Sequence, residues 1–305
     1  MLNEFLVRDL RLFCLVVRKS SFVTTAEESG SSPTYVSKRI RMLESTLGVK
    51  LLHRTTRQVR ISDEGETVYR WAQKILKDIE SMSDELSGAR VNPKGTVRIS
   101  SSPRLGREHI APIVSMLERR YPDLIIWLEL MDRRVRLIEE DFDLDIRVGE
   151  VQEPGLIPHH IAKTPRILCA SPQYVQQKGH PKTLQDLVHH DCLVFREREE
   201  PFGVWRLEGP EGWETVKVTG PLASNHSDVA LRWALDGQGI ILVSDWNIDQ
   251  NLADGSLEHI LPSWRQPADV WAVSAARSNQ SAKVRVCIDF LKEQLNQGEF
   301  ALRRN

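Results

Sequence analysis

The chain has 305 residues, with 41 Lys and Arg against 42 Asp and Glu and a hydrophobic content of 41%. That length favours two or three domains with ordinary cores. No run of about 18 apolar residues occurs, which excludes a membrane-spanning helix, and Cys14, Cys169, Cys192 and Cys287 form no CxxC pair, which argues against a disulfide framework or a zinc site. The charge is unevenly placed: residues 1–60 hold eleven Lys and Arg against five Asp and Glu, so the rest of the chain is net acidic. A basic segment of this kind suits a phosphate backbone.

The first predicted helix carries Leu10, Phe13 and Val17 on one face. Glu4 and Asp9 stand where a secretory leader has cations, so a cytoplasmic protein is expected. Ser21 is the expected N-cap of a short helix over TTAEES that Gly30 ends. Ser32-Pro33 then opens a third helix, a cap followed by proline at the first helical position, where a missing N–H loses no bond. Val36, Ile40, Leu43 and Leu47 share one stripe, leaving Thr34, Tyr35, Ser37, Lys38 and Arg41 on other faces.

Three short helices with a tight turn before the third describe a helix-turn-helix, whose second motif helix presents its N-terminal residues to base edges. The segment KLLHRTTRQVRIS predicts two extended pieces around a basic turn, a wing that sets Arg54 and Arg57 over phosphates or a minor groove. Candidate contacts to double-stranded DNA are therefore Ser32, Pro33, Thr34, Tyr35, Ser37, Lys38 and Arg39 in the helix, with Arg54, Thr55 and Arg57 in the wing.

From Ser62 to Leu86 a long helix is predicted, with Val68, Ala72, Ile75, Ile79, Met82 and Leu86 spaced 4-3-4-3-4. That heptad seam is expected to hold a homodimer; packing of the helix along its own domain is the alternative. The expected division is a winged helix-turn-helix over 1–62, a linker and dimerisation helix over 63–90, and a third region over 91–305.

After Asn92-Pro93-Lys94-Gly95 strand and helix patterns alternate, from GTVRISSS and REHIAPIVSMLERRY to LIIWLEL and FDLDIRVG, which predicts α/β architecture. Two lobes are expected, about 95–165 with 266–305 and about 166–265, with a ligand cleft between them at the carboxyl ends of strands. Ser101, Ser102 and Arg104 close the first strand; Asn225, His226 and Ser227 occupy the matching turn of the second lobe. Arg147 interrupts a buried strand and invites either a carboxylate ligand or an ion pair with Asp145. For the serines, helix capping is the competing reading, and for His226 a solvated loop.

His159-His160 and His189-His190 lack the i, i+4 spacing of a helical zinc pair, Gly237-Gln238-Gly239 follows a helix rather than opening one, and no GxSxG is present. No catalytic set, metal or cofactor is expected. The two function classes are a ligand-responsive DNA-binding regulator and a small-molecule-binding protein or enzyme carrying a DNA-anchoring domain.

The ordered set Asp9-Leu10-x-x-Phe13, Ser21-Phe22, Ala26, SPTYVSKRI, Leu43-Glu44, Leu47-Gly48, Leu51-Leu52-x-Arg54, Thr55-x-Arg57 and Ser62-x-x-Gly65 resembles the LysR-type transcriptional regulators. The family commonly has glutamine where this chain has Pro33, so that base contact does not carry over; Thr34, Ser37 and Lys38 match positions that touch DNA. The resemblance implies an effector domain like periplasmic solute-binding proteins, homodimers assembling into homotetramers, and RNA polymerase as a partner if the protein activates. GREHIAP, DLDIRVG, RILCASPQYV and VWAV are similar to the branch regulating tartrate and malate use, which implies a small hydroxy-dicarboxylate effector.

Overall fold

The structure is a computed structural model and describes residues 4–54, 59–86, 93–149, 151, 153–195, 203–275 and 281–302. The chain divides into two compact units, one up to Gly88 and one from Ala89.

In the first unit, α1 (Glu4–Lys19), α2 (Phe22–Glu28) and α3 (Pro33–Leu47) pack around Leu10, Phe13, Val16, Val36, Ile40, Leu43 and Leu51. Ser21 and Ser32 cap α2 and α3 as their sequence positions demand, accepting the N–H of Thr24 at 3.3 Å and of Tyr35 at 3.1 Å. Buried Glu44 accepts the Leu51 and Leu52 N–H groups at 3.0 and 3.4 Å and so ties α3 to the wing. The wing pairs β1 (Leu52–Arg54) with β2 (Val59–Ile61) antiparallel, Leu52 opposite Ile61.

Ser62 then starts α4 (Asp63–Leu86): its hydroxyl donates to the Lys50 carbonyl at 2.6 Å and accepts the Gly65 N–H at 2.9 Å. Only glycine fits at 65, since a Cβ there would lie 2.1 Å from the Leu51 carbonyl oxygen.

The second unit holds two sheets. Lobe 1 begins with β3 (Gly95–Ser101), α5 (Pro103–Leu105), a π-helical turn (Gly106–Ile110) and α6 (Ala111–Arg120), followed by β4 (Leu124–Leu130), β5 (Leu144–Val148) and β6 (Leu156–Ala162). Lobe 2 contains β7 (Pro165–Ala170), α7 (Pro172–Lys178), β8 (Cys192–Phe195), β9 (Val204–Gly209), β10 (Gly212–Lys217), β11 (Ala223–Ser224), α8 (Ser227–Leu235), β12 (Ile240–Ser244), α9 (Asp249–Ala253) and β13 (Glu258–Pro267). The chain then returns to lobe 1 with β14 (Val270–Ala275) and α10 (Ala282–Gln297).

The sheet orders are β4-β3-β5-β14-β6 and β10-β9-β13-β7-β12-β8-β11. Parallel β3, β4 and β5 put their carboxyl ends on one side of lobe 1, and parallel β8, β11 and β12 do the same in lobe 2. The two chain crossings run side by side: the Thr164 hydroxyl donates to the Ala268 carbonyl at 2.7 Å, and the Ala268 N–H donates to the Thr164 carbonyl at 2.8 Å. Each lobe keeps its own apolar core, one around Ile99, Ile110, Leu144 and Leu291, the other around Leu168, Leu207, Ile240 and Ile260.

Candidate DNA surface and effector cleft

Ser32, Pro33, Thr34 and Lys38 are exposed at the start of α3, and Tyr35 and Ser37 are half-buried. Their presentation follows from the stripe behind them, because Val36, Ile40 and Leu43 are fully buried and hold one face inward. Tyr35 lies under the Arg8 guanidinium, 5.3 Å from ring centroid to Cζ, so its ring is positioned by α1. Arg41, also exposed, donates to the Ser37 hydroxyl at 3.4 Å.

Arg39 does not belong with this surface. It is 7% exposed and donates Nε–H and Nη2–H to the two Asp9 oxygens at 2.5 and 2.8 Å, a bidentate pair inside the domain. Its position in the helix turns it toward α1, and burial next to a carboxylate makes it an internal strut. Arg54 ends β1, but its side chain, with Thr55 and Arg57, lies outside the described residues.

The heptad seam of α4 also needs correction. Ala72 is fully buried and half-buried Val68 packs on the same core, so the first part of the seam is engaged by the domain's own helices. Beyond them Ile75 and Met82 are 37% and 56% exposed and Ile79 is half-buried. Trp71, one turn before Ile75 and 57% exposed, extends that apolar strip. The spacing rule missed it because Trp71 adjoins Ala72 and is out of register with the seam; its signal was a large aromatic four residues before Ile75 on a helix. Leu86 closes α4, its side chain outside the described residues.

In the second unit, Ser102, Asn225 and Ser227 come together with Asp132 and Phe195 around a narrow pocket between the lobes. Its volume is about 20 Å³, room for about one water. Ser102 occupies the N-cap position of α5, yet its hydroxyl makes no capping bond. Ser101 is fully buried, and its hydroxyl has no partner among the described residues. His226 caps α8, accepting the Asp228 N–H on Nδ1 at 3.2 Å, so that nitrogen is occupied.

Neither predicted cation faces the pocket. Arg104 pairs with Glu108 at 3.2 Å and with Asp228 at 3.1 Å, and donates Nη2–H to the Asn247 carbonyl at 3.0 Å. Arg147 donates to Asp145 at 2.6 Å and to Glu153 at 2.5 Å. Burial works against charge on Arg147, but the two carboxylates outweigh it and raise the guanidinium pKa. Glu153 moves the opposite way: burial raises it, and Arg147 more than compensates. Arg147 thus takes the ion pair that the sequence offered as one of two readings, and Arg104, expected as a ligand contact, is held in ion pairs with Glu108 and Asp228. The sequence offered Asp145 as a partner for Arg147; Asp228, 124 residues from Arg104, left no local sign.

A winged helix-turn-helix joined to a two-lobed α/β domain with a cleft at its strand ends is the architecture of a ligand-responsive DNA-binding regulator. Two family profiles match the chain: the bacterial regulatory helix-turn-helix protein, lysR family, over residues 7–66, and the LysR substrate binding domain over residues 90–296.

Similar proteins include the HTH-type transcriptional regulator DmlR of Escherichia coli K12, 50% identical over 95% of each chain. The HTH-type transcriptional activator TtdR of the same strain is 40% identical over 95% of this chain and 94% of its own. Among solved structures, the full-length Vibrio cholerae virulence activator AphB superposes with TM-score 0.57 at 29% identity, covering 93% of this chain and 97% of its own. CrgA from Neisseria meningitidis superposes with TM-score 0.59 at 28% identity over 95% and 99%. The chain belongs to the LysR family of transcriptional regulators. It is a regulator and not an enzyme, of a family that binds DNA and small effectors and forms oligomers.

Proposed function

We propose that this regulator responds to a small hydroxy-dicarboxylate of the malate or tartrate type, bound between the lobes at Ser102, Asn225 and Ser227. The observation that carries the reading is the Ser102 hydroxyl, which stands at a helix N-cap without capping and lines the same pocket as Asn225 and Ser227. Backbone N–H groups opening α8 suit a carboxylate, and Asp132 supplies an acceptor for a ligand hydroxyl, which favours hydroxy acids over plain diacids. The resemblance to the tartrate and malate branch, and the likeness to DmlR and TtdR, support the same class.

The pocket holds far less than such a ligand, so binding parts the lobes about the paired crossings at Thr164 and Ala268. On the DNA side, Thr34, Tyr35, Ser37 and Lys38 address the major groove, with Ser32 and Pro33 setting the helix start and Arg54, Thr55 and Arg57 serving the wing. Ile75, Ile79, Met82 and Trp71 join α4 helices in a homodimer, and two dimers form a tetramer. Effector binding then changes the spacing of recognition helices in the oligomer. The protein works in the cytoplasm and, as an activator, would contact RNA polymerase.

The test is a thermal-shift titration of the full chain with malate and tartrate isomers against succinate, which lacks the hydroxyl. A bound ligand at 100 times its Kd stabilises by about 2.7 kcal/mol. Ser102→Ala and Ser227→Ala are expected to weaken the response at least tenfold; equal stabilisation by succinate, or unchanged affinity in both variants, would remove the pocket from consideration.

A further inference from the structure

Arg8 is an exposed residue of α1, yet its guanidinium is held: it lies over the ring of Tyr35, the third residue of α3, at 5.3 Å from the centroid. Among the described residues no hydrogen bond or ion pair holds it as well. Neighbouring carboxylates are engaged elsewhere, Asp9 with both oxygens on Arg39 and Glu44 on Lys50 and the wing N–H groups. Glu4 stands four positions before Arg8 in the sequence, a spacing at which exposed ion pairs are weak.

An aromatic face attracts a guanidinium without consuming any of its N–H groups. Arg8 is therefore fixed in place with its donors still to be used, and its surroundings decide for what. Tyr35 belongs to the first turn of α3, where Ser32, Pro33 and Thr34 are exposed and Lys38 and Arg41 follow on the surface. Ser32 takes the N–H groups of Tyr35 and Val36 on its hydroxyl and its carbonyl, and the Thr34 N–H has no partner among the described residues. A helix start with a spare N–H, flanked by cations, favours an anion. The guanidinium fork matches a phosphate in two parallel bonds.

We propose that Arg8 is a DNA contact of this regulator, bonded to a backbone phosphate at the edge of the groove that α3 enters, with the Tyr35 ring as its platform. The inference rests on the reading that the start of α3 enters the major groove, and it gives Tyr35 its part through the ring. A long cation ordered before DNA arrives loses less rotamer freedom on binding. The contact also comes from α1, outside the helix pair that reads bases, so it fixes how the recognition helix is seated without reading sequence itself.

The experiment is fluorescence anisotropy of the full chain, across a salt series, on a DNA duplex that the wild type selects from a random pool. Arg8→Ala should weaken binding and reduce the salt slope of log K by about one, so that its deficit against wild type shrinks about three- to fourfold between about 50 and 200 mM salt. Its Tm should match that of wild type, because the side chain is exposed. Arg8→Lys should recover the slope but only part of the affinity, since an ammonium lacks the fork. Tyr35→Phe keeps the ring and should lose less affinity than Tyr35→Leu, and this difference should vanish in an Arg8→Ala background. Arg18→Ala removes another exposed cation of α1, about 15 Å further along the helix, and should leave the slope as it is.

An unchanged slope in Arg8→Ala beside a lowered one in Lys38→Ala would overturn the proposal while leaving the reading of α3 intact; unchanged slopes in both would overturn the two together. An equal fall in Arg18→Ala would reduce the effect to net charge and overturn it as well. Tyr35→Phe losing as much as Tyr35→Leu would remove the ring from its role as platform.

Discussion

Arg104 of lobe 1 and Asp228 of lobe 2 are joined at 3.1 Å, and Arg107 reaches the other oxygen of the same carboxylate, also at 3.1 Å. This contact adjoins both Ser102 and Ser227, so it bridges the lobes immediately beside the proposed effector pocket. The π-helical turn at Gly106–Ile110 carries Arg107, and a Cβ at Gly106 would meet Leu130 Cδ2 at 2.1 Å, so a larger residue there would displace that side chain.

Asp228→Asn should therefore make the lobes easier to part. Burial raises the Asp228 pKa, but bonds from Arg107 and Arg104 more than offset this and hold it below 3.8. The pair's stabilisation is thus present above the ordinary Asp value and is lost as pH falls through the lower folded value. We expect Asp228→Asn to lower the Tm of the effector domain by a few degrees at pH 7, with the difference from wild type shrinking as pH falls below the ordinary Asp value. Effector affinity should rise, because opening no longer breaks the ion pair. A thermal series from pH 7 to pH 3 checks the first expectation and calorimetry the second.

Lys38→Ala should weaken binding to operator and random DNA alike and reduce the salt slope of log K by about one, the signature of one lost phosphate contact. Thr34→Ala should instead narrow the gap between specific and random DNA, at a cost of about 1–3 kcal/mol for the site it reads. Fluorescence anisotropy across a salt series distinguishes the two outcomes.

Arg39→Ala should abolish DNA binding by a different route. It leaves Asp9 buried without its partner, which destabilises the domain by about 3–5 kcal/mol, whereas replacing both residues by apolar ones of similar size restores most of the stability. Chemical denaturation of the single and double variants checks this; an Arg39→Ala protein as stable as wild type would return that residue to the DNA surface.

Arg147→Ala should act similarly in lobe 1, because fully buried Asp145 loses its guanidinium and keeps the Ser100 hydroxyl at 2.6 Å, while half-buried Glu153 keeps Arg134 at 3.3 Å. The expected result is a loss of about 3–5 kcal/mol in effector-domain stability, measured by urea unfolding, rather than a selective loss of ligand response in an otherwise stable protein.

Ile75→Asp combined with Met82→Asp should shift the assembled protein toward monomer without unfolding the DNA-binding unit, since both side chains are exposed on α4. Ala72→Asp, at a fully buried position, should unfold that unit. Light scattering and circular dichroism separate the two effects.

Much of the fold was legible along the chain because its signals are local. Ser21 and Ser32 mark helix starts by accepting the N–H of the residue three positions on, Pro33 marks one through its fixed φ, and the spacing of Val36, Ile40 and Leu43 defines a buried face by helix period alone. Ser102, Asn225 and Ser227 were identifiable as strand-to-helix turns, although only the folded lobes bring them to one pocket. Leu47, assigned to the same stripe as Val36, is 40% exposed in the last turn of α3, which Gly48 closes in the left-handed conformation.

What the amino-acid order alone determined is thus the sequence of helices, wing and alternating strands, together with the family they define, because caps, periodicity and turn residues act over a few positions. The partners of the charged groups were decided only by tertiary packing. Arg39 meets Asp9 across 30 residues and Arg104 meets Asp228 across 124, and a guanidinium that leaves water takes whichever carboxylate the fold brings within reach.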